Sequence, residues 1–164
     1  MKKIYSFLLM TFLLGTTVYA QTSVDGIVQK YLSGNAEEVG LKSTDVAQWK
    51  ITDIVPSLNP EIQHVYVKQM YQGIPVQNGT YKLTVKDGKV TYEINQFAKD
   101  VAQKAAKTSL SLSPENAILK VVNAHSLKTP SNLRATRSAG NLLEYANSGI
   151  SLEPIKVEKT YLAI

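Results

Sequence analysis

The chain has 164 residues, no cysteine and a formal net charge of +5. This length suits one domain or two very small ones, and the lack of cysteine excludes disulfides and thiol chemistry. Its basic residues are scattered, without dense runs or interleaved aromatic residues, so we expect no nucleic-acid partner.

The first 20 residues are predicted to be a cleavable signal peptide. Lys2 and Lys3 precede an apolar run from Ile4 to Leu14, and the predicted cleavage site lies between Ala20 and Gln21. The run is shorter than the ~20 residues that cross a bilayer, so we expect no stable membrane anchor. The sequence therefore predicts a secreted chain, extracellular or periplasmic, whose mature charge is an ordinary solubility charge.

An amphipathic helix and a strand are predicted next. Ser23 is a suitable N-cap for the helix, and Gly34-Asn35 is a stop signal. Residues 46–57 are typical of a strand with an irregular end at Pro56. The apolar positions of the helix fall on one stripe: Val24, Ile27, Val28, Tyr31 and Leu32.

Residues 64–95 predict an antiparallel meander of three strands. Asp87-Gly88 suits a type I′ turn, which needs positive φ at both central positions, and Gln72-Gly73-Ile74-Pro75-Val76 predicts a second corner. Alternation assigns these residues to common faces: Val65, Val67, Gln69 and Tyr71 in the first strand; Tyr81, Leu83 and Val85 in the second; Val90, Tyr92 and Ile94 in the third.

The rest of the chain predicts a second, smaller unit after a connector at residues 98–112. Ser113-Pro114-Glu115 is typical of a helix start, and Ile118, Val121, Val122 and His125 follow at helical spacing. Residues 128–149 are interpreted as an irregular insertion. The last segment predicts a strand with Ile155, Val157 and Tyr161 on one face and no partner strand.

No catalytic or metal-binding pattern is present in the sequence. Glu61 and His64 lie three residues apart in a predicted strand, where an odd separation points side chains to opposite faces. His125 ends a helical stripe, and no acid lies within a turn of it. The sequence contains no H-E-x-x-H, G-x-S-x-G or glycine-rich phosphate motif. We therefore expect no catalytic residue, no metal site and no cofactor.

The stretch HVYVKQMYQGIPVQNGTYKLTVKDGKV resembles the FTP (fungalysin/thermolysin propeptide) domain. That family carries an aromatic strand with glutamine, then G-(I/V)-P-V, a strand and a D-G-(K/R)-V hairpin. Residues 112–125 and 151–162 are similar to the helix and strand of the PepSY-like half of the same propeptides. The residues that match the family motif are Gln69, Gly73, Ile74, Pro75, Val76, Asp87, Gly88 and Val90.

The resemblance implies an α+β fold, with an antiparallel meander packed against the N-terminal helix and an incomplete PepSY-like helix–strand unit behind it. The expected organisation is a signal peptide at 1–20, an FTP-like domain at 21–97, a linker at 98–112 and a partial PepSY-like unit at 113–164.

The resemblance further implies the non-catalytic propeptide region, an intramolecular chaperone and inhibitor, of an exported, bacterial fungalysin-type zinc metallopeptidase, here expected without its protease domain. The partner is the catalytic domain of that enzyme, which lies in cis in relatives and is expected here in trans, since the sequence lacks H-E-x-x-H. Two alternatives stay open. One is a stand-alone inhibitor or chaperone of a metallopeptidase, and the other is an extracellular or periplasmic binding module unrelated to proteases.

Overall fold

The computed structural model describes residues 23–105, 112–130 and 132–162, so the predicted signal peptide and its cleavage site at Ala20 and Gln21 lie outside the described residues. The described chain is an α+β fold with two antiparallel sheets. Its elements are α1 (Val24–Asn35), β1 (Trp49–Pro56), β2 (Ile62–Tyr71), β3 (Ile74–Lys86), β4 (Lys89–Asn95), α2 (Val101–Lys104), α3 (Pro114–Ala124), β5 (Ala135–Ala139), β6 (Leu142–Tyr145) and β7 (Ile155–Glu158).

The first sheet has four strands in the order β1-β2-β3-β4, so neighbours in sequence are neighbours in space. Helix α1 contributes Ile27, Val28 and Leu32 to the core over one face of this sheet. The predicted cap is confirmed, because Ser23 Oγ accepts a hydrogen bond from Gly26 N at 3.2 Å. The sheet contributes the inward residues of β2 and β3 that alternation predicts: Val65, Val67, Tyr81, Leu83 and Val85.

Both predicted turns of the meander are present, and each is a two-residue turn with positive φ at both positions. Gln72 and Gly73 have φ values of 49° and 73°, and Asp87 and Gly88 have the same pair of values. This combination is the type I′ signature, whose twist matches the twist of the flanking strands.

The predicted face of β4 is wrong, because the pairing of β3 with β4 shifts between Thr84 and Val85. Val90 pairs with Val85 and packs against the core, whereas Tyr92 pairs with Thr84 on the opposite side of the sheet. Tyr92 and Ile94 are 62% and 45% exposed. A bulge inserts one residue into the alternation, so the side chains beyond it change face.

The second sheet has the order β5-β6-β7 and corrects two expectations. The predicted irregular insertion contains the antiparallel hairpin β5–β6, and the last strand, β7, has a partner because it pairs with β6. Only Ile155 and Val157 of the predicted face lie within β7, and Tyr161 lies beyond it.

Helix α3 begins as predicted, with Ser113 Oγ accepting from Asn116 N at 3.2 Å and with Pro114 in its first turn. Ile118 and Val122 form the core of the second unit with Tyr145. Val121 was expected on the same stripe but is 56% exposed, since the buried surface of this short helix is narrower than its apolar stripe.

The predicted connector at residues 98–112 is partly structured. It contains α2, and its residues 106–111 lie outside the described part of the chain. Asp100 precedes α2 with a positive φ of 59°.

Candidate functional site

The histidines and nearby acids do not assemble into a reactive site. His64 is half-buried, and its Nδ1 lies 3.1 Å from Thr84 Oγ1 on the neighbouring strand. Glu61 instead pairs with Lys86 at 3.7 Å. His125 is exposed and caps the C-terminal end of α3. Within the ranges that the structure describes, no group of three or more acidic, histidine or cysteine side chains could hold a metal ion.

The buried side chain of the family-motif residue Gln69 joins three segments of the chain by hydrogen bonds, and we call Gln69 with these bonds the lock. It lies at the register shift between Lys68 and Met70 and is fully buried. Its Nε2 donates to the carbonyl oxygens of Asp45 and Ala98, both at 2.9 Å, and its Oε1 accepts from Ala98 N at 2.8 Å. The side chain therefore joins β2 to the loop before β1 and to the segment after β4.

Gly79 completes this lock because it leaves space for Gln69. A Cβ atom at residue 79 would lie 2.6 Å from Gln69 Oε1, which is closer than real Cβ contacts. The motif glutamine thus requires the glycine opposite it. Sequence reasoning assigned Gln69 to the inward face but did not identify Gly79.

Asp45 is a second buried polar group that the sequence did not single out. It is 1% exposed, and its carboxylate accepts from three backbone N–H groups: Lys42 N at 3.0 Å, Asp100 N at 3.1 Å and Val101 N at 2.9 Å. Two of these donors lie more than 50 residues away in sequence. In the local sequence Asp45 is therefore an ordinary aspartate of a polar loop, with nothing that predicts its burial.

A surface ion pair lies beside Asp45. Lys42 Nζ lies 2.5 Å from Asp100 Oδ1, and this contact lowers the pKa of Asp100 and raises the pKa of Lys42. Together, Asp45, Gln69 and this pair hold residues 98–101 against the sheet.

The motif segment Gly73–Val76 contacts the second unit. Tyr161 N donates to Pro75 O at 2.8 Å, and Gln77 N donates to Tyr161 O at 2.7 Å, which makes a parallel bridge between Val76 and Tyr161. The Tyr71 and Tyr161 rings meet edge to face at 5.7 Å. Asn141 Nδ2 also donates to Gly73 O at 2.5 Å. We call this set of contacts the Tyr161 clasp.

The remaining motif residues lie at the other end of the meander. Asp87 and Gly88 form the β3–β4 turn, and Val90 packs against the core. Strand β3 separates this turn from Gln72-Gly73 by 13 residues, or about 40 Å of extended chain. The eight motif residues therefore do not form one site, since they are divided among the two turns, the Gln69 hydrogen bonds, the Tyr161 clasp and buried apolar positions.

Three tyrosine–carboxylate contacts lie at the two cores: Tyr31 and Tyr81 with Glu93, and Tyr145 with Glu115. Burial, followed by hydrogen bonding to Glu93, raises the pKa of Tyr31 to about 12, and the same causes raise the pKa of Tyr81. In the second unit, Tyr145 Oη donates to Glu115 Oε1 at 2.5 Å. This hydrogen bond is the main cause that raises the pKa of Tyr145 to about 12 and lowers the pKa of Glu115.

The face of the first sheet that points away from α1 is partly uncovered, and we call it the open face. Register places three cross-strand rows on it: Lys50, Lys68 and Thr80; Asp53, Tyr66, Lys82 and Ile94; Val55, His64, Thr84 and Tyr92. Lys86 and Lys89 pair at its end. The ammonium group of Lys82 lies over the Tyr66 ring, 5.4 Å from the centroid.

The second unit has an apolar cleft of about 430 Å³ between α3 and β7. Val121, Val122 and Leu127 line one side of it, and Ile155 and Val157 line the other. Its lining carries few polar groups, so the cleft offers shape and apolar area rather than chemistry.

Residues 47–95 match the family model of the Fungalysin/Thermolysin Propeptide Motif. This segment is a fungalysin/thermolysin propeptide motif. The match begins two residues before β1 and ends with β4, so the motif coincides with the four-stranded sheet. The resemblance seen in the sequence is thereby confirmed for this segment. No curated protein matches the chain.

The propeptide motif is a non-catalytic domain, and in relatives it associates with the catalytic domain of a peptidase. Propeptides of this family occur in secreted peptidases. In the described ranges, none of the helices has the length and apolar character that crossing a membrane requires.

Proposed function

We propose that this chain is the propeptide region of an exported fungalysin-type zinc metallopeptidase, which assists folding of the catalytic domain and inhibits it. The observation that carries the proposal is the coincidence of the propeptide motif with a complete four-stranded sheet. This match favours a protease-related role over a binding module unrelated to proteases.

The physical properties of the sheet support a scaffold rather than a catalyst. The buried polar side chains at its core, Gln69 and Asp45, form hydrogen bonds to the backbone of loops. These groups therefore hold the fold together and are not free to bind a substrate. The open face and strand edges of the sheet offer the surfaces on which a folding partner can be held.

The domain organisation proposed from the sequence fits this role. The signal peptide at 1–20 would direct export, the FTP-like domain at 21–97 includes the matched segment, and the PepSY-like unit at 113–164 follows the linker at 98–112. The catalytic domain is the proposed partner, in cis as in relatives or in trans.

The test adds the purified chain to thermolysin and measures two quantities, peptidase activity and the yield of active enzyme on refolding from denaturant. At micromolar excess, we expect lower activity and a higher refolding yield. A Gly79→Val variant, in which the lock cannot form, controls for the need for a folded sheet. Unchanged activity and unchanged refolding yield with the wild-type chain would refute the proposed function.

A further inference from the structure

The open face combines positive charge with uncovered apolar side chains. Five lysines lie on it: Lys50, Lys68, Lys82, Lys86 and Lys89. Asp53 is the carboxylate within its strands, and Glu61 and Asp87 lie in the flanking turns. Among the described residues, only Lys86 of the five lysines takes part in an ion pair. The face therefore keeps a net positive charge that the fold does not neutralise.

The apolar part of the face lies between the lysines. Tyr66, Tyr92 and Ile94 are 36%, 62% and 45% exposed, and Val55 is 40% exposed at the edge of the sheet. The exposure of Tyr92 and Ile94 results from the β4 bulge, which turns these two side chains outward while Val90 stays in the core. Along the strands, Tyr66, Tyr92 and Ile94 lie between the pair Lys50 and Lys68 and the pair Lys86 and Lys89. Apolar area flanked by charged side chains is typical of a protein-binding surface.

From this arrangement we infer that the open face docks onto an acidic patch of the metallopeptidase catalytic domain, which rests on the proposed function. Carboxylates of the partner would meet Lys50 and Lys68 at one end of the face and Lys86 and Lys89 at the other. The partner's apolar side chains would cover Tyr92 and Ile94. Complementary charge fixes the orientation of such a complex and speeds its formation.

The same chemistry fits a nucleic acid or an anionic membrane less well. Stacking a run of bases needs several free aromatic rings, but the Lys82 ammonium group covers the Tyr66 ring, which leaves Tyr92 as the exposed tyrosine of this face. Asp53 lies in the same cross-strand row and would repel phosphate groups. A protein surface can avoid this carboxylate, whereas a continuous phosphate array cannot.

The experiment measures binding of thermolysin to the purified chain at low ionic strength. The test variant carries Lys50→Glu, Lys82→Glu and Lys89→Glu. The control carries Lys30→Glu, Lys120→Glu and Lys128→Glu, the same charge change at exposed positions outside the sheet. We expect roughly 10-fold or greater weakening for the test variant alone, and weaker binding of the wild type in high salt.

A second variant, Tyr92→Ser with Ile94→Ser, tests the exposed apolar side chains of β4 without changing charge. Both side chains are exposed, so circular dichroism and melting temperature should match the wild type while binding weakens. Equal binding by the wild type, the test variant and this second variant would overturn the docking face and leave the proposed function intact.

Two further outcomes also decide the proposal. If the wild-type chain does not bind thermolysin, both the docking face and the proposed function are overturned. If the wild type binds vesicles of anionic lipid or polyuridylate more tightly than thermolysin, and the test variant loses that binding, the face recognises phosphate groups and the protein partner is wrong.

Discussion

Gln69 occupies the volume that any side chain at residue 79 would need. A Cβ at Gly79 would lie 2.6 Å from Gln69 Oε1 and 2.8 Å from Gln69 Cβ. Gln69 cannot move aside without losing its hydrogen bonds to the Asp45 and Ala98 backbones. The two residues therefore act as one unit.

Gly79→Ala should destabilise the chain by about 2–4 kcal/mol, since overpacking displaces a buried, fully bonded side chain. The free energy of unfolding is measured by urea denaturation. Gly34→Ala is the matched control, because nothing lies within 4 Å of a Cβ at that position in α1. We expect Gly34→Ala to be neutral or slightly stabilising, as alanine favours helix. Equal destabilisation by both variants would contradict the lock.

Asp45→Asn should cost about 2–3 kcal/mol, because an amide group turns N–H donors toward backbone N–H groups that need an acceptor. The effect should be local to the segment that Asp45 holds, with faster hydrogen exchange at Asp100 N and Val101 N. Asp53→Asn is the control, since its carboxylate is exposed and, among the described residues, bonds only the adjacent Ile54 N. Slow exchange retained at Val101 in Asp45→Asn would show that the carboxylate is not the anchor.

The Tyr145–Glu115 contact should make the second unit sensitive to pH at both extremes. The pKa of Glu115 is lowered in the folded state, so its stabilising effect is present above its ordinary pKa of 4.5 and is lost as pH falls through the lower folded value. The pKa of Tyr145 is raised to about 12, so its effect is present below its ordinary pKa of 10.0 and is lost as pH rises through about 12.

Tyr145→Phe should remove the dependence at high pH and reduce the dependence in acid, because hydrogen bonds to the Glu115 backbone and to Ser113 also lower the pKa of Glu115. Melting temperature measured against pH reports both. We expect the variant to be less stable than the wild type near neutral pH and to lose less stability in acid. Tyr92→Phe is the control, because Tyr92 is exposed on the open face. An acid transition of equal size in Tyr145→Phe and wild type would rule out this contact as its source.

The sequence predicted the features that depend on local chemistry. Gln72-Gly73 and Asp87-Gly88 were predictable as turns, because few residue pairs adopt positive φ at both positions. Ser23 and Ser113 were predictable as caps for a similar reason, since each bonds an amide three residues ahead. The motif pattern then identified the family of the sheet.

Features that depend on distant contacts were not predictable. Asp45 bonds residues 55 and 56 positions away, and no local pattern signals that. The bulge in β4 leaves the alternation of the sequence intact while it changes the face of Tyr92 and Ile94, so the open face was missed. Hairpin β5–β6 was missed because every β5 residue is exposed, although Gly140-Asn141 between the strands is a hairpin signal.

The Tyr161 clasp should couple the second unit to the propeptide sheet through a backbone donor. Tyr161→Ala removes only the ring that meets Tyr71, whereas Tyr161→Pro also removes the N–H that bonds Pro75 O. We expect the hydrogen-exchange rate of the Gln77 amide to rise modestly in Tyr161→Ala. In Tyr161→Pro it should rise by roughly a further 10-fold, which corresponds to the free energy of about one hydrogen bond. Leu162→Pro is the control, because it keeps Tyr161 N and favours an extended residue before it. If Leu162→Pro and Tyr161→Pro raise the exchange equally, the clasp depends on the course of the chain rather than on this hydrogen bond.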